Sequence, residues 1–394
     1  MSSGGKPLTL TVSTSLADFS KEEWETLSGT WSGDSENPYN PFISHAFLSS
    51  LEESGCASRR TGWLGQHLRL ADEDGRLLGA VVAYLKSHSQ GEYVFDHGWA
   101  DAYERAGGDY YPKLQVSVPF TPATGPRLLV RRGLDPEPIR RALARGLKTL
   151  TDQLGVSSAH VTFATEEDIS ALEGEDFLLR KDQQFHFFNE GYKTYEDFLG
   201  TLASRKRKAL RKERREALAS GIEIDRLTGS DITESVWDDF YAFYMETGSR
   251  KWGRPYLNRQ FFSRIGERMA DDILLVMARR DGRYIAGAIN FIGAETLYGR
   301  NWGAIEHHPF LHFEVCYHQA IDFAIERGLK RVEAGAQGEH KLARGYLPVT
   351  TKSAHYIYHP GLRRAVADYL ELERKEVEMV GEILNEHSPY RKQS

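Results

Sequence analysis

The chain has 394 residues, a net charge of −6, 40% hydrophobic and 27% charged residues, and two cysteines, Cys56 and Cys316. That length exceeds one domain of about 100–200 residues and predicts two; the composition excludes a disordered chain, and the acidity excludes a general pull toward nucleic acid, so any anion-binding surface must be local. Two cysteines this far apart exclude a disulfide framework and fit a reducing compartment, while the absence of any apolar run near the ~18 residues of a membrane span and of a signal-peptide core predicts a cytoplasmic protein.

In chain order, residues 8–12 read as a strand and 16–27 as a short amphipathic helix. Ser44 caps a helix over 45–53 whose Phe47, Leu48 and Leu51 share a face. A hairpin follows, with strands at 67–71 and 77–85 around Glu73-Asp74-Gly75, because an Asp-Gly pair supplies the positive φ of a tight turn. The stretch 87–126 is long, aromatic and polar. Residues 136–154 form a helix opened by prolines and closed at Gly155, and 158–163 a strand. Residues 180–189 read as a strand, 202–219 as a helix, 273–278 and 284–292 as a second hairpin around Asp281-Gly282, 313–326 as a helix closed at Gly328, 331–334 as a strand, and 362–384 as a terminal helix.

The two hairpins carry DGRLLGAVVAYL from Asp74 and DGRYIAGAINFI from Asp281, alike but for one inserted residue. Each is followed by a helix, a glycine and a strand. Two matched units in one order predict a duplicated α/β domain with mixed strand pairing, divided as 1–180 and 181–394.

Two segments carry the chemistry. The first is SRKRKALRKERR (residues 204–215), with Arg205, Arg207, Lys208 and Arg211 on a helix of sparse apolar positions. A solvated surface helix accounts for it, but so much like charge in an acidic chain points to an anionic partner such as a phosphate, a pyrophosphate or an RNA backbone. The second is GAQGEHK, a glycine turn at the carboxyl end of the strand RVEA, where α/β proteins tend to bind ligands. Gly335 and Gly338 let backbone N–H groups approach an anion or a carbonyl oxygen, and Glu333, Gln337, Glu339, His340, Lys341 and Arg344 crowd the spot. No triphosphate loop, dinucleotide fingerprint or nucleophile elbow is present. His307, His308 and His312 read as loop histidines rather than metal ligands, and Cys316 as a small core residue.

The strings FISHAFLSSLEESG, AYLKSHSQGEYVFDHGWADAYERAG, YYPKLQVSVPFTPATGPRLL, SRKRKALRKERR, LYGRNWG and HPFLHFEVCYHQAIDFAIERGLKRVEAGAQGEHKLARGYLP span nearly the whole chain. In them the chain resembles the N-acyltransferases described as peptidoglycan biosynthesis/recognition proteins, relatives of the Fem aminoacyl ligases in the GNAT superfamily. The resemblance implies tandem GNAT-like domains with mixed, mainly antiparallel sheets flanked by helices. It also implies transfer of an acyl or aminoacyl group from acyl-coenzyme A, an acyl carrier or aminoacyl-tRNA to a small-molecule or peptide amine. The usual GNAT pyrophosphate loop is absent before residue 313, which weakens the coenzyme A donor. Nothing corresponds to the long helical hairpin of Fem enzymes, for which the basic helix stands as remnant or substitute.

Acyl transfer to an amine needs a base for the ammonium, donors for the oxyanion and a proton for the leaving group. Glu314, Glu333 and His340 are the candidate bases, with Glu314 able instead to cap its helix. Tyr346 returns the proton or is a core tyrosine. Gly335, Gln337, Gly338, Lys341 and Arg344, with the four cations of the basic helix, are expected to hold the donor, with no tightly bound cofactor and no metal. Lys86, His88, Tyr93, Asp96, His97, Trp99 and Tyr103 are expected to line an acceptor pocket. The alternative is a non-catalytic module of the same fold that binds RNA or a cell-wall precursor through the basic helix; the polar turn favours the enzyme.

Overall fold

The computed structural model describes residues 7–29, 38–252, 255–335 and 338–391, so Gln337 of the glycine turn lies outside the described residues. The strands are β1 (Thr9–Ser13), β2 (Trp63–Gly65), β3 (His67–Ala71), β4 (Leu77–Val81), β5 (Ala83–Lys86), β6 (Lys113–Val116), β7 (Leu129–Val130), β8 (Ser158–Thr162), β9 (Leu178–Phe188), β10 (Glu223–Leu227), β11 (Ile273–Arg280), β12 (Arg283–Ile292), β13 (Thr296–Ala304), β14 (Arg331–Glu333) and β15 (Leu347–Ile357). The helices are α1 (Lys21–Glu25), α2 (His45–Glu53), α3 (His97–Arg105), α4 (Pro136–Leu154), α5 (Glu166–Glu173), α6 (Tyr195–Thr201), α7 (Ser204–Ala217), α8 (Glu234–Trp252), α9 (Arg259–Met269), α10 (Leu311–Phe313), α11 (Gln319–Glu326) and α12 (Pro360–Glu386). No described helix is long and apolar enough to cross a membrane.

The chain forms two compact units. The first comprises Met1–Gly29, Phe42–Asp182 and Thr350–Glu378; the second comprises Thr30–Pro41, Gln183–Val349 and Met379–Ser394. The division at residue 180 therefore describes one crossing of the chain and misses the return: residues 350–378 pack with the first unit, because Ala354, Tyr356, Ile357, Leu362, Val366 and Leu370 join its cores.

In the first unit β1, β3, β4 and β7 form an antiparallel sheet. A second sheet runs β2-β5-β6-β8, with Ser353–Ile357 of β15 antiparallel to β8. Only β6 and β8 in it are parallel. The stretch expected as one strand over 77–85 breaks at Val82, so that β4 pairs in one sheet and β5 in the other. Helix α4 has the expected bounds: Asp135 caps it, Pro136 opens it and Gly155 ends it at φ 64°. Its Ile139, Leu143, Leu147 and Leu150 are buried against strand residues such as Leu68, Val81 and Val161, each worth roughly 1.5–3 kcal/mol.

The second unit repeats the order. Strands β10 to β13 are antiparallel, β14 lies parallel to β13, and β9 closes the sheet antiparallel to β14. Asp281 and Gly282, at φ 51° and 77°, make the two-residue turn between β11 and β12. Ala320, Ile321 and Ala324 of α11 pack in one cluster with Val276, Leu297 and Val332 of the sheet. In both units a helix thus connects two neighbouring parallel strands, as such a crossover requires.

Candidate functional site

Strands β13 and β14 pair over only three positions, Thr296 to Arg331, Leu297 to Val332 and Tyr298 to Glu333. There β14 ends, while β13 continues to Ala304. On its other side β13 pairs Gly299 with Asn290 and Trp302 with Ala288, so Arg300 and Asn301 form a bulge, which bends and twists the strand away. The divergence opens a recess of about 70 Å³ lined by Asn290, Gly299, Arg300, Trp302, His312, Cys316, Tyr317 and Ala334 among others. A Cβ at Gly299 would lie 3.2 Å from Oδ1 of Asn290 and 3.5 Å from the Glu333 carbonyl. A cleft of about 620 Å³ lies beside Thr247, Trp302 and the loop that carries His307, His308, Pro309 and Phe310.

One wall of the recess is a helix interrupted by a π turn, Glu314–His318, between α10 and α11. Such a turn holds an extra residue and needs outside support. Helix α7 supplies it. Arg214 donates Nε to Oε2 of Glu314 at 3.0 Å and Nη2 to Oε1 at 2.9 Å, and reaches Asp322 at 2.7 Å. Gln319 Nε2 donates to the same Glu314 carboxylate at 2.7 Å. At the other end of the turn, His318 has Nε2 2.8 Å from Oε1 of Glu213 and Nδ1 2.6 Å from the Tyr195 hydroxyl. Anchored so, the π turn brings Cys316 and Tyr317 to the recess.

These contacts change the roles expected of several residues. Glu314 is fully buried and its oxygens accept two hydrogen bonds from Arg214 and one from Gln319, the setting of a structural carboxylate rather than of a base open to a substrate ammonium. Tyr346 is fully buried too, and its hydroxyl points to the Tyr317 carbonyl at 3.5 Å, a core position rather than a proton donor's. Arg344 forks onto Glu213 at 2.9 and 2.7 Å, donates Nη1 to the His340 carbonyl at 2.6 Å, and lies 3.4 Å over the Phe313 ring. With all three nitrogens occupied it is unsuited to hold a donor. Arg211 is paired with Glu196. The exposed Arg205 and Lys208 and the half-buried Arg207 have no ion-pair partner among the described residues.

The glycine turn brings its remaining residues to the recess edge. Gly335 and Gly338 take φ of 76° and 121°, which a side chain would resist. The His340 imidazole sits over Gly338, where a Cβ would come within 2.5 Å of it. Nε2 of His340 and the hydroxyl of Tyr317 are 2.9 Å apart, and burial pushes the Tyr317 phenol up. Lys341 is 1% exposed and donates to the Gly335 carbonyl at 3.0 Å; burial pulls its ammonium down to about 8. Glu333 is buried behind them, 3.7 Å from Nε of Arg331 and 4.0 Å from Nε2 of His186. The sequence pointed to His340, read Cys316 as a core residue although it is half-buried at the recess, and did not single out Tyr317, since which face a π turn presents depends on contacts 100 residues away in α7.

The first unit holds a different cluster. Lys86, Lys113, Glu92, Asp96, Tyr110, His160 and His355 are all buried. Lys113 bonds Ser89 at 2.8 Å, Glu92 at 2.7 Å and Asp96. Tyr110 donates to Asp96 at 2.7 Å. Lys86 rests 3.6 Å over the Trp63 ring, with Glu92 3.9 Å away. Burial moves Lys86 down to about 7 and Glu92 up to about 7, against the pull of Lys113 on the latter. Burial also raises Asp96, but Lys113 and His160 overrule it and hold the carboxyl well below its usual range. Oε1 of Glu92 and Oδ1 of Asp96 have no hydrogen-bond partner among the described residues.

The pocket wall expected over residues 86–103 is thus mostly interior. Lys86, Asp96 and Trp99 are buried, Trp99 between Arg180 and the two histidines. His88 is half-buried and holds the Thr61 carbonyl at 3.1 Å; Tyr93 is half-buried at φ 62°, Tyr103 stands beside His359, and exposed His97 stacks on Phe95. Lys113, Glu92, His160 and His355 escape a sequence reading because the cluster is assembled across β5, β6, β8 and β15. Among the described residues no group of three His, Cys, Asp or Glu side chains could hold a metal ion.

The chain is similar to FemX, with 12% identity and a TM-score of 0.53 over 89% of this chain and 98% of that one. It is also similar to a conserved protein of unknown function from Bacteroides thetaiotaomicron, with 13% identity and a TM-score of 0.50 over 89% of this chain and all (100%) of the other. These likenesses show the fold, two α/β units with mixed sheets flanked by helices. A comparison with curated protein sequences finds no match. Residues 15–392 match the FemAB-like family, described as peptidoglycan biosynthesis/recognition, and the chain belongs to that family.

Proposed function

We propose that the protein is an N-acyltransferase that moves an acyl or aminoacyl group from an activated donor to an amine, with its transfer centre at the recess of the second unit. The observation that carries this reading is the parallel pair β13 and β14 diverging after Tyr298 and Glu333 with the His340–Tyr317 pair at the opening. Diverging strands leave backbone N–H and C=O groups facing a wedge, and an extended amide-bearing chain pairs with such groups as an added strand does.

In this reading the donor carbonyl lies in the wedge beside Cys316 and Tyr317. The incoming ammonium gives one proton to water, and His340, at the mouth, takes the second as the nitrogen bonds to the carbonyl carbon. Tyr317, kept protonated by burial, hands its proton to the departing thiol or hydroxyl oxygen and is resupplied by His340. The buried Lys341 and the backbone at Gly338 face the charge that develops on the carbonyl oxygen. Glu333 sets the end of β14 rather than acting as base. The unpartnered cations Arg205, Arg207 and Lys208 favour a polyanionic donor, which makes aminoacyl-tRNA the first donor to try, and the family description makes a peptidoglycan precursor the first acceptor. On the first unit, His88, Tyr93, His97 and Tyr103 are the members of the expected acceptor set with surface to offer one.

The test is a screen of charged tRNA and acyl-coenzyme A pools with amine acceptors, including muropeptide precursors. Wild type should transfer from one pool, and H340Q and Y317F should each transfer at least ~100-fold more slowly with unchanged melting. Parent rates in both variants would move the transfer centre elsewhere. A folded wild type that transfers from neither pool would favour the module that binds without turnover.

A further inference from the structure

We infer that Glu213 is a positioning residue for the His340–Tyr317 pair and acts on it through Arg344; the role of that pair rests on the transfer-centre reading above. In the sequence Glu213 is only a carboxylate diluting the run SRKRKALRKERR. In the structure it faces inward. Its Oε1 meets His318 Nε2 at 2.8 Å and Arg344 Nε at 2.9 Å, and its Oε2 accepts Arg344 Nη2 at 2.7 Å. Burial raises its carboxyl, but the bonds from His318 and Arg344 outweigh that and hold it below the usual carboxylate range. It is an anion whose two oxygens are both engaged by two side chains.

Both of those side chains lead to the pair. Arg344 turns its third nitrogen to the His340 carbonyl at 2.6 Å and lies over the Phe313 ring, whose centroid is 5.6 Å from the His340 ring. His318 follows Tyr317 in the π turn. One carboxylate therefore ties the segment carrying His340 to the turn carrying Tyr317, and bidentate geometry fixes direction as well as distance. It also sets the charge. Arg344 is 6% exposed and bonded to the His340 backbone, and a buried cation that close to a histidine disfavours protonation of its ring. Glu213 cancels that cation. Among the described residues, titratable groups near His340 include Tyr317 and His312 from the π-turn helix and Lys341 on its own turn.

The experiment follows the His340 ring by NMR in histidine-labelled full-length protein, with the signal assigned by H340Q. In E213Q the titration midpoint of His340 should fall by about half a pH unit or more, because Arg344 is left uncompensated. E213D should keep it near the wild-type value, and E213Q/R344M should bring it back up. An unchanged midpoint in E213Q, or an equal fall in E213D, overturns the proposal. A loss of stability alone moves no midpoint. The titration needs no donor, so it decides the role of Glu213 even if no transfer is found. With a donor in hand, the acid limb of kcat/KM should move with the midpoint; a moved midpoint with an unmoved limb would count against His340 as the base and leave its tie to Glu213 standing.

Discussion

Nδ1 of His160 faces Nδ1 of His355 at 2.7 Å, across the directly paired residues of β8 and β15. One ring must donate and the other accept, so at least one is neutral. Burial pushes His160 down to about 3 and His355 well below its ordinary value. The unfolded chain takes up protons on these rings as pH drops below about 6.5, while the folded chain does not. Stability from this pair is therefore full above that pH and lost progressively toward about 3, on the order of a few kcal/mol. Denaturant midpoints measured between pH 8 and 4 should fall steeply on the acid side, and less steeply in His160→Asn. Parallel curves for the two proteins would contradict a neutral pair.

Arg214 and Glu314 allow the two readings of Glu314 to be separated. Removing Arg214 strands a fully buried carboxylate, so R214M should lose about 3–5 kcal/mol of stability. E314Q should lose stability too, while turnover of the molecules that remain folded changes little. A general base would behave in the opposite way, with stability kept and turnover abolished. Urea melts and turnover measured on the same preparations decide between them.

Lys341 is a buried ammonium held down to about 8. Replacing such a group with an apolar side chain of similar length is often neutral or stabilising by about 1–4 kcal/mol. K341M should therefore melt no lower than wild type at pH 7, yet transfer at least ~100-fold more slowly. The folded chain releases this proton at a lower pH than the unfolded chain, so wild-type stability relative to K341M should rise between pH 8 and 10.5. A variant that melts lower and transfers normally would make Lys341 a packing residue.

Cys316 is half-buried at the recess, whereas Cys56 is buried in the first unit. Brief treatment with N-ethylmaleimide should label Cys316 first, and the adduct should fill a recess of about 70 Å³ and stop transfer. Saturating donor should slow the labelling, and C316A should turn over without responding to the reagent. Mass spectrometry of tryptic peptides reads the site. Full activity in protein labelled at Cys316 would place the donor outside the wedge.

Much of the frame was legible in the sequence. Helices 45–53 and 136–154 and the strand 67–71 have the bounds read from their caps, turns and periodicity, because local signals settle them. Gly335, Gly338 and His340 were legible for the same reason. The basic helix was legible as a helix but not in its use: Arg214 and Glu213 turn inward while Arg205 and Lys208 face out, and a run of similar charges does not say which side will be buried. Lys113 and His355 gave no signal at all. Each becomes part of a cluster only once β5, β6, β8 and β15 are assembled.

The return of residues 350–378 to the first unit has a consequence for synthesis. A protein whose domains follow one another along the chain can fold each as it leaves the ribosome. Here His355, half of the histidine pair, is made 195 residues after its partner His160. Until then the partly built first unit must keep Lys86, Glu92, Asp96 and Lys113 from premature burial or from wrong partners. A nascent chain stalled at residue 349 should be protease-sensitive over residues 86–113, and one that includes residues 350–378 should be protected there.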